Sequence, residues 1–245
     1  RSPLDEYEER HIPGASFFDL DEFSDADSDL PHMALDPESF SKKIEVFGIN
    51  PNSIVVVYDG LGLFSAARLL WLFHLYGFTN VFILDGGLPK WLSENRAVDS
   101  KIVMHEQCHF LTSYCKELVM DLDQMVACIG SNDVQIVDAR PHKRFEGLVP
   151  EPREGIRSGK IPSSVNLFYG DLIGEDKTLK PTQALEKIVK SLGINLEKHI
   201  VASCGSGVTA AILYIVFKGL GAKRVSVYDG SWCEWGSIDD LAQLT

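Results

Sequence analysis

An internal repeat is the feature that most constrains the fold of this chain. Each half contains, in the same order, an apolar run, a glycine-rich turn, a helical stretch and a second apolar run. In the first half these segments are 54–58, 59–63, 65–76 and 81–84, and in the second half they are 199–203, 204–207, 208–218 and 225–228. Asp85 and Asp229 lie 144 positions apart, and so do Trp91 and Trp235. Matches in one order at nearly one offset indicate a tandem duplication.

The repeated unit has the pattern of a parallel α/β structure. Short runs that are apolar throughout are typical of strands in a sheet covered on both faces. Strands that alternate with helices of about ten residues favour βαβ connections. We therefore predict an α/β fold of two domains, 1–98 and 118–245, each a parallel sheet with helices on both faces. The segment 99–117 lacks clear periodicity and is the predicted linker.

One piece of the repeat is missing from the first unit. The second unit opens with a helix at 121–129 and a strand at 134–138. The matching segments of the first unit would fall before residue 1, as in a fragment, a misassigned start or a deletion. We expect the first sheet to lack one buried strand and to expose apolar surface and an unpaired edge.

Charge and composition disfavour several classes of protein. The chain has 23 basic and 35 acidic residues and a net charge of −12, so bulk electrostatics oppose nucleic-acid binding. No stretch approaches the roughly 20 apolar residues of a membrane span, and no signal segment opens the chain. Five cysteines without Cys-x-x-Cys spacing argue against a disulfide framework or a zinc site. We expect a cytoplasmic protein without metal or membrane partners.

The turn after the matching strands 54–58 and 199–203 is the predicted ligand site. In open parallel sheets, ligands bind beyond the carboxyl ends of the strands. The first turn carries Asp59 and the second carries Cys204 at the same point. The glycines after Cys204 let backbone N–H groups point inward, and the following helix presents its positive end to the sulfur. Both effects favour the thiolate, so Cys204 is the predicted nucleophile.

At this point the sequence resembles a known family. The motif Cys-Gly-Ser-Gly-Val-Thr-Ala at 204–210 is similar to the active loop of rhodanese-type sulfurtransferases, in particular the 3-mercaptopyruvate sulfurtransferase branch. Members that use thiosulfate usually carry basic residues where this chain has Gly205 and Ser206. The resemblance covers nearly the whole chain through the motifs at 11–15, 30–33, 84–91, 137–140, 151–153 and 228–232. It departs at the amino end, where the family normally has the missing helix and strand.

The resemblance implies a fold and a reaction. The fold would be two tandem rhodanese-like domains, of which the first is non-catalytic. Cys204 would take the sulfur of 3-mercaptopyruvate as a persulfide and release pyruvate. A thiol such as reduced thioredoxin, or cyanide in an assay, would then accept the outer sulfur, and no metal or organic cofactor is needed.

The resemblance also implies which residues bind the substrate. Arg144 and Arg153 match the family positions that hold the substrate carboxylate, and guanidinium groups bind carboxylates bidentately. The ordinary alternative for either arginine is a solvated surface charge. The remaining predicted binding residues belong to the loop itself: Gly205, Gly207, Val208 and Thr209.

A proton relay is the third implication of the resemblance. Ser206, His32 and Asp21 match a Ser–His–Asp relay in which the last two residues come from the first domain. This relay would make the cleft between the domains the active site, an ordinary place for a small-molecule pocket. The alternatives are a loop histidine and a solvated acidic stretch at 19–29.

Three rival interpretations remain beside this one. A cysteine phosphatase would need an arginine where the loop has Ala210. A non-catalytic binding or regulatory module is suggested by Asp59 in the first turn and by the missing strand. Thiosulfate as the preferred donor is disfavoured because a dianion should require more positive charge than the uncharged loop provides. Outside catalysis, we predict that Asp138 and Arg140 serve in an ion pair between the strand end and the neighbouring loop, and that Cys233 is a partly packed thiol.

Overall fold

The structure is a computed structural model that describes residues 2–244. In its first half the helices and strands are α1 (Pro3–Glu9), α2 (Pro37–Ile44), β1 (Val55–Val57), α3 (Ala66–Leu75), β2 (Val81–Ile83) and α4 (Gly87–Ser93). A 3-10 turn, Glu45–Phe47, follows α2. The side chain of Asp36 caps α2 by accepting the amide hydrogens of Glu38 and Ser39, and Pro37 occupies the first helical position.

The first sheet is short and leaves one apolar row uncovered. β1 and β2 are parallel, and Val56 lies beside Phe82 in the register. These side chains are 55% and 53% exposed, and that of Ile54 is 70% exposed. A cavity of about 970 Å³ separates β1 from the segment 14–21. The first sheet therefore exposes apolar surface, as expected from the sequence.

The second half contains a five-stranded parallel sheet. Its elements are β3 (Val119–Met120), α5 (Leu122–Cys128), β4 (Val134–Asp138), α6 (His142–Phe145), β5 (Val165–Asn166), α7 (Thr182–Ser191), β6 (His199–Ser203), α8 (Ala210–Gly219), β7 (Arg224–Tyr228) and α9 (Ser231–Trp235). The strand order is β3-β7-β6-β4-β5, which places β6 at the centre of the sheet. Ligands bind at the carboxyl edge of such sheets, so the residue after Ser203 occupies a favourable position.

Segment 99–117 packs against the first half. Phe110 is buried among the aromatic side chains of that half. The amide of Cys108 donates to the carbonyl of Glu45, and the amide of Cys115 donates to the carbonyl of Leu75. We propose that this segment links the two domains while lying along the first.

One apolar core runs through both halves because α3 packs directly against α8. Trp71 on α3 and Ile212 on α8 are fully buried. His74 Nδ1 lies 2.9 Å from the hydroxyl of Tyr214 across this contact. Burial of a large apolar side chain contributes about 1.5–3 kcal/mol to stability, so the contact fixes the two halves relative to each other. Among the residues described, no helix combines the length and apolar character needed to cross a membrane.

Candidate active site

The turn that carries Cys204 joins β6 to α8 and is supported from beneath by Ser231. Cys204 is 2% exposed. The amides of Cys204 and Gly207 both donate to Ser231 Oγ, each at 3.1 Å, and that hydroxyl donates to the carbonyl of Tyr228. Ser231 itself has a left-handed backbone with φ +51°. A single buried hydroxyl thus fixes both ends of the turn.

Helix α9 binds the carbonyl side of the same turn. The amide of Trp232 donates to the carbonyl of Cys204 at 3.0 Å, and the amide of Cys233 donates to the carbonyl of Gly205 at 2.8 Å. These two carbonyl oxygens therefore point toward α9. Because carbonyl oxygens repel an anion, this arrangement suits a turn that holds a negatively charged sulfur.

Both glycines of the turn have close neighbours, and the backbone conformation of Gly207 favours glycine. Gly207 has φ +75°, and a Cβ there would lie 2.9 Å from the carbonyl oxygen of Asp229. A Cβ on Gly205 would lie 3.1 Å from Nη2 of Arg144. The second contact brings a guanidinium group directly against the backbone that follows Cys204.

The structure brings the three predicted relay residues together. His32 Nδ1 lies 2.9 Å from Ser206 Oγ, and His32 Nε2 lies 3.2 Å from Asp21 Oδ1. When the imidazole proton is on Nε2, it is donated to Asp21, and Nδ1 can accept the Ser206 hydroxyl hydrogen. Asp21 and His32 come from the first half and Ser206 from the second, so the chain of contacts crosses the cleft.

The surroundings of His32 favour its neutral form. Burial lowers the pKa of His32, and the positive charges of Arg153 and Arg68 lower it further, against the opposing effect of Asp21. The His32 backbone has φ +61°, a conformation that costs a residue with a side chain on the order of 1–3 kcal/mol. A strained backbone therefore presents a neutral imidazole to Ser206.

Arg144 is held in place by a buried carboxylate. Glu151 accepts hydrogen bonds from Arg144 Nε at 3.2 Å and from Arg140 Nη1 at 3.0 Å, and it also pairs with Arg144 Nη2. Burial acts to lower the pKa of Arg144, but Glu151 outweighs that effect and holds the pKa above its usual value. The predicted Asp138–Arg140 ion pair is confirmed, with Nη2 2.7 Å from Oδ2.

Arg153 differs from Arg144 in its exposure and its partners. It is exposed, and it has no carboxylate partner among the residues described. Its Nη1 lies 3.6 Å from Cys233 Sγ. Cys233 is buried rather than partly packed, and burial raises the pKa of its thiol. Of the two predicted arginines, Arg153 is therefore the one whose charge is free for a ligand.

The remaining predicted residues lie where the turn enters α8. Val208 is buried and Thr209 is half-buried immediately before the helix begins. The 970 Å³ cavity beside β1 borders Asp21 but is not lined by Cys204, Ser206 or His32. Among the described residues, no group of three or more His, Cys, Asp or Glu side chains is arranged to hold a metal ion.

Comparison with protein families places these features in context. The family model described as a rhodanese-like domain matches residues 1–94 and 121–238. The chain belongs to the rhodanese-like family. The two-domain α/β fold predicted from the repeat is confirmed, and so is the rhodanese-like character of both domains that the resemblance implied.

Named relatives match this chain along nearly its whole length. The chain is 41% identical to thiosulfate/3-mercaptopyruvate sulfurtransferase 1, mitochondrial, of Arabidopsis thaliana, covering 98% of this chain and 69% of that protein. It is 39% identical to 3-mercaptopyruvate sulfurtransferase of Escherichia coli K12, covering 98% and 85%. The crystal structure of SseA from Escherichia coli matches with a TM-score of 0.86 and 37% identity, covering 95% of this chain and 87% of that one. This rhodanese-like protein is a sulfurtransferase.

Several residues of the site were not singled out by the sequence analysis. These residues are Arg68, Glu151, Asp229 and Ser231. Ser231 and Asp229 follow β7, next to β6 in the sheet, so the rule that ligands bind beyond strand ends could have found them. The sequence also indicated a buried ion pair at Arg68, because this lone charge in the apolar stretch 66–75 has to be buried with a partner.

Proposed function

We propose that this sulfurtransferase moves the sulfur of 3-mercaptopyruvate to a thiol acceptor through a persulfide on Cys204. The observation that carries the proposal is the position of two guanidinium groups: Arg144 lies against Gly205 of the Cys204 turn, and Arg153 contacts Cys233, whose amide binds the carbonyl of Gly205. A small anionic thiol fits this combination of nucleophile and positive charge. The names of the relatives supply the substrate.

The first half-reaction transfers sulfur to the enzyme. The Cys204 thiolate attacks the substrate sulfur, forming an S–S bond while the C–S bond breaks. The electron pair of the C–S bond passes to carbon as the enolate of pyruvate. The proton that leaves the substrate thiol is returned to that carbon, so the step yields pyruvate and a deprotonated persulfide.

The relay carries this proton in the proposal. Neutral His32 accepts the Ser206 hydroxyl hydrogen, which allows Ser206 Oγ to take up the substrate thiol proton and then release it to the enolate carbon. Asp21 stabilises the imidazolium while the proton is in transit. A relay of this type contributes about 10²–10⁴-fold to the rate.

The two arginines have different tasks. Arg153, whose charge is not paired with a carboxylate in the described chain, binds the substrate carboxylate. Arg144, fixed by Glu151 and lying against Gly205, keeps a positive charge beside the persulfide. The backbone of Gly205, Gly207, Val208 and Thr209 surrounds the transferred sulfur.

The second half-reaction returns the enzyme to its starting state. An acceptor thiolate, such as that of reduced thioredoxin, attacks the outer sulfur, and Cys204 leaves as the thiolate. Cyanide serves as acceptor in an assay. The persulfide enzyme is the product of the first half-reaction and the reactant of the second, so ping-pong kinetics are expected. The cytoplasmic location remains a prediction, and one matched relative is mitochondrial.

The test compares two donors with one purified chain. Pyruvate release from 3-mercaptopyruvate is measured beside thiocyanate formation from thiosulfate, with cyanide as the acceptor in both assays. We expect the mercaptopyruvate reaction to have the higher kcat/KM. Without acceptor, mass spectrometry should find one added sulfur on a peptide that contains Cys204. A higher kcat/KM for thiosulfate would contradict the donor assignment, and turnover without a modified Cys204 would contradict the mechanism.

A further inference from the structure

A buried ion pair joins the two domains behind the catalytic cleft. Arg68, on α3 of the first domain, has a completely buried side chain whose Nη2 lies 2.6 Å from Asp229 Oδ1 in the second domain. The side chain of Asp229 is 5% exposed. The guanidinium also lies over the ring of Trp71, 4.3 Å from the ring centre. The pair is therefore shielded from water on both sides of the boundary.

Both members of this pair also hold the backbone that carries His32. Arg68 Nη2 donates to the carbonyl of His32 at 2.6 Å. Asp229 Oδ2 accepts the amide hydrogen of Ala34 at 2.8 Å. The ion pair therefore binds the backbone on either side of Met33: Arg68 of the first domain binds His32, and Asp229 of the second domain binds Ala34.

The His32 backbone needs such support. Its left-handed conformation is disfavoured for any residue with a side chain, and it persists only where surrounding contacts impose it. The imidazole itself contacts Ser206 and Asp21, and the Asp21 side chain is 84% exposed. A solvent-exposed carboxylate holds a neighbour weakly, so the backbone contacts must fix the direction of the ring.

Arg68 reaches the nucleophile turn as well. A Cβ placed on Gly207 would lie 3.0 Å from Arg68 Nη1, so the guanidinium abuts the turn that contains Ser206. Its Nε and Nη1 have no hydrogen-bond partner among the described residues. Buried polar atoms without partners oppose folding, which argues that stability alone does not explain this arginine.

We propose that Arg68 and Asp229 are positioning residues that hold His32 in register with Ser206, so that the relay depends on an ion pair between the domains. This inference rests on the relay described under the proposed function. In this proposal the pair acts by fixing where the His32 imidazole points, through its bonds to the backbone at His32 and Ala34.

The test is a double-mutant cycle between Arg68 and His32. Arg68→Lys keeps the charge, but its shorter ammonium group cannot reproduce the two contacts that Arg68 Nη2 makes to Asp229 and to the His32 carbonyl. We expect Arg68→Lys to lower kcat for 3-mercaptopyruvate by about tenfold to a hundredfold, with KM within about twofold because Arg144 and Arg153 are unchanged. In a His32→Ala background the same change should lower kcat by less than about twofold, since the group that Arg68 positions is gone.

Controls separate positioning from a general loss of stability. Leu185→Ala shortens a buried side chain on α7, and it should lower the melting temperature while leaving kcat unchanged. Alkylation of Cys204 should proceed at the wild-type rate in Arg68→Lys, which shows that the turn is intact. If Arg68→Lys gives no cooperative melting transition, Asp229→Asn takes its place in the same cycle.

The outcomes distinguish this inference from the relay beneath it. If His32→Ala retains the wild-type kcat, the relay itself fails, and the positioning role fails with it. If His32→Ala is slow but Arg68→Lys and Asp229→Asn keep the wild-type kcat, the relay stands and the positioning role is overturned. Losses that multiply in the double variant also overturn it, because the ion pair would then act independently of His32.

Discussion

The two strand-to-helix turns of the duplicated fold bind their backbone amide hydrogens in different ways. In the first turn the Asp59 carboxylate accepts amide hydrogens from Leu61, Phe64 and Ala66 at 2.7–3.0 Å. This turn is filled by its own side chain. In the second turn the backbone is held from outside by Ser231, and the residue at the base is Cys204.

The difference shows what the fold supplies and what a single residue adds. A glycine-containing turn at the mouth of a helix is an anion site in both domains. A permanent carboxylate occupies that site in the first domain and completes its hydrogen bonds. In the second domain a cysteine occupies the same place, and in the proposed function it carries the transferred sulfur. The residue at the base therefore distinguishes a turn filled by its own carboxylate from the turn that we propose to be reactive.

The largest expected effect comes from removing the sulfur. Cys204→Ser should lower kcat by about a thousandfold or more, because the hydroxyl cannot replace the thiolate as the sulfur carrier. Its counterpart Asp59→Ser should keep the wild-type kcat for sulfur transfer. Both variants are assayed for pyruvate release with cyanide as acceptor. Equal losses in the two variants would break the distinction between the turns.

The second domain also differs in the charge at the rim of its turn. The offset that aligns Pro13 with Pro162 puts Leu4 where the second half has Arg153. Arg153→Ala should raise the KM for 3-mercaptopyruvate by about tenfold to a hundredfold through loss of a charged hydrogen bond, with little change in kcat. Lys143→Ala removes a positive charge from an exposed site on α6 and should leave KM unchanged. Equal KM changes in the two variants would argue for general attraction rather than carboxylate recognition.

A smaller effect is expected at Asp21, the exposed end of the proposed relay, which the first domain contributes to the site beside the Cys204 turn. In the proposed mechanism the relay needs neutral His32, so kcat should fall as the pH drops through the His32 pKa, which lies below its usual value. Asp21 acts to raise that pKa. Asp21→Asn should therefore move the acid limb of the kcat profile to lower pH, by only a few tenths of a unit because the carboxylate is exposed.

The control for this shift lies in the same acidic stretch. Asp27→Asn removes the same charge from another exposed position and should leave the acid limb in place. Raising the salt concentration should shrink the Asp21→Asn shift. An acid limb that moves to higher pH in Asp21→Asn would contradict the assigned role of this carboxylate.

The smallest effect on turnover is expected at Asp59. Asp59→Asn should leave kcat and KM unchanged while lowering the free energy of unfolding by about 1–3 kcal/mol, because the carboxylate accepts three amide hydrogens. Urea unfolding measures the loss. Asp123→Asn, at an exposed position on α5, should be near neutral. A fall in kcat for Asp59→Asn would mean that the first turn contributes to catalysis.

The elements around the nucleophile were predictable from local pattern. Strands β4 and β6 occupy the residues expected from their apolar runs, 134–138 and 199–203. The repeat located the Cys204 turn because strand, glycines and helix follow one another in the sequence. The apolar surface near β1 was also predictable, because comparison of the two repeats left one strand of the second unit without a counterpart in the first.

The contacts between the domains were not predictable in the same way. The proximity of His32 and Ser206 came from the family resemblance, since the two residues are 174 positions apart. The Arg68–Asp229 pair and the support from Ser231 depend on how α3 and α8 dock and on where β7 ends. Local periodicity carries no information about that docking. It specifies which faces are apolar but not which residues meet across them.

The apolar core shared by α3 and α8 has a consequence for how substrate reaches Cys204. Swinging one domain away from the other would strip Trp71 and Ile212 of their packing and expose the Arg68–Asp229 charges. The contacts that form the cleft therefore also oppose a hinge motion between the two domains. Substrate entry and product exit therefore fall to the exposed loop around Arg153, while the two domains stay fixed relative to each other.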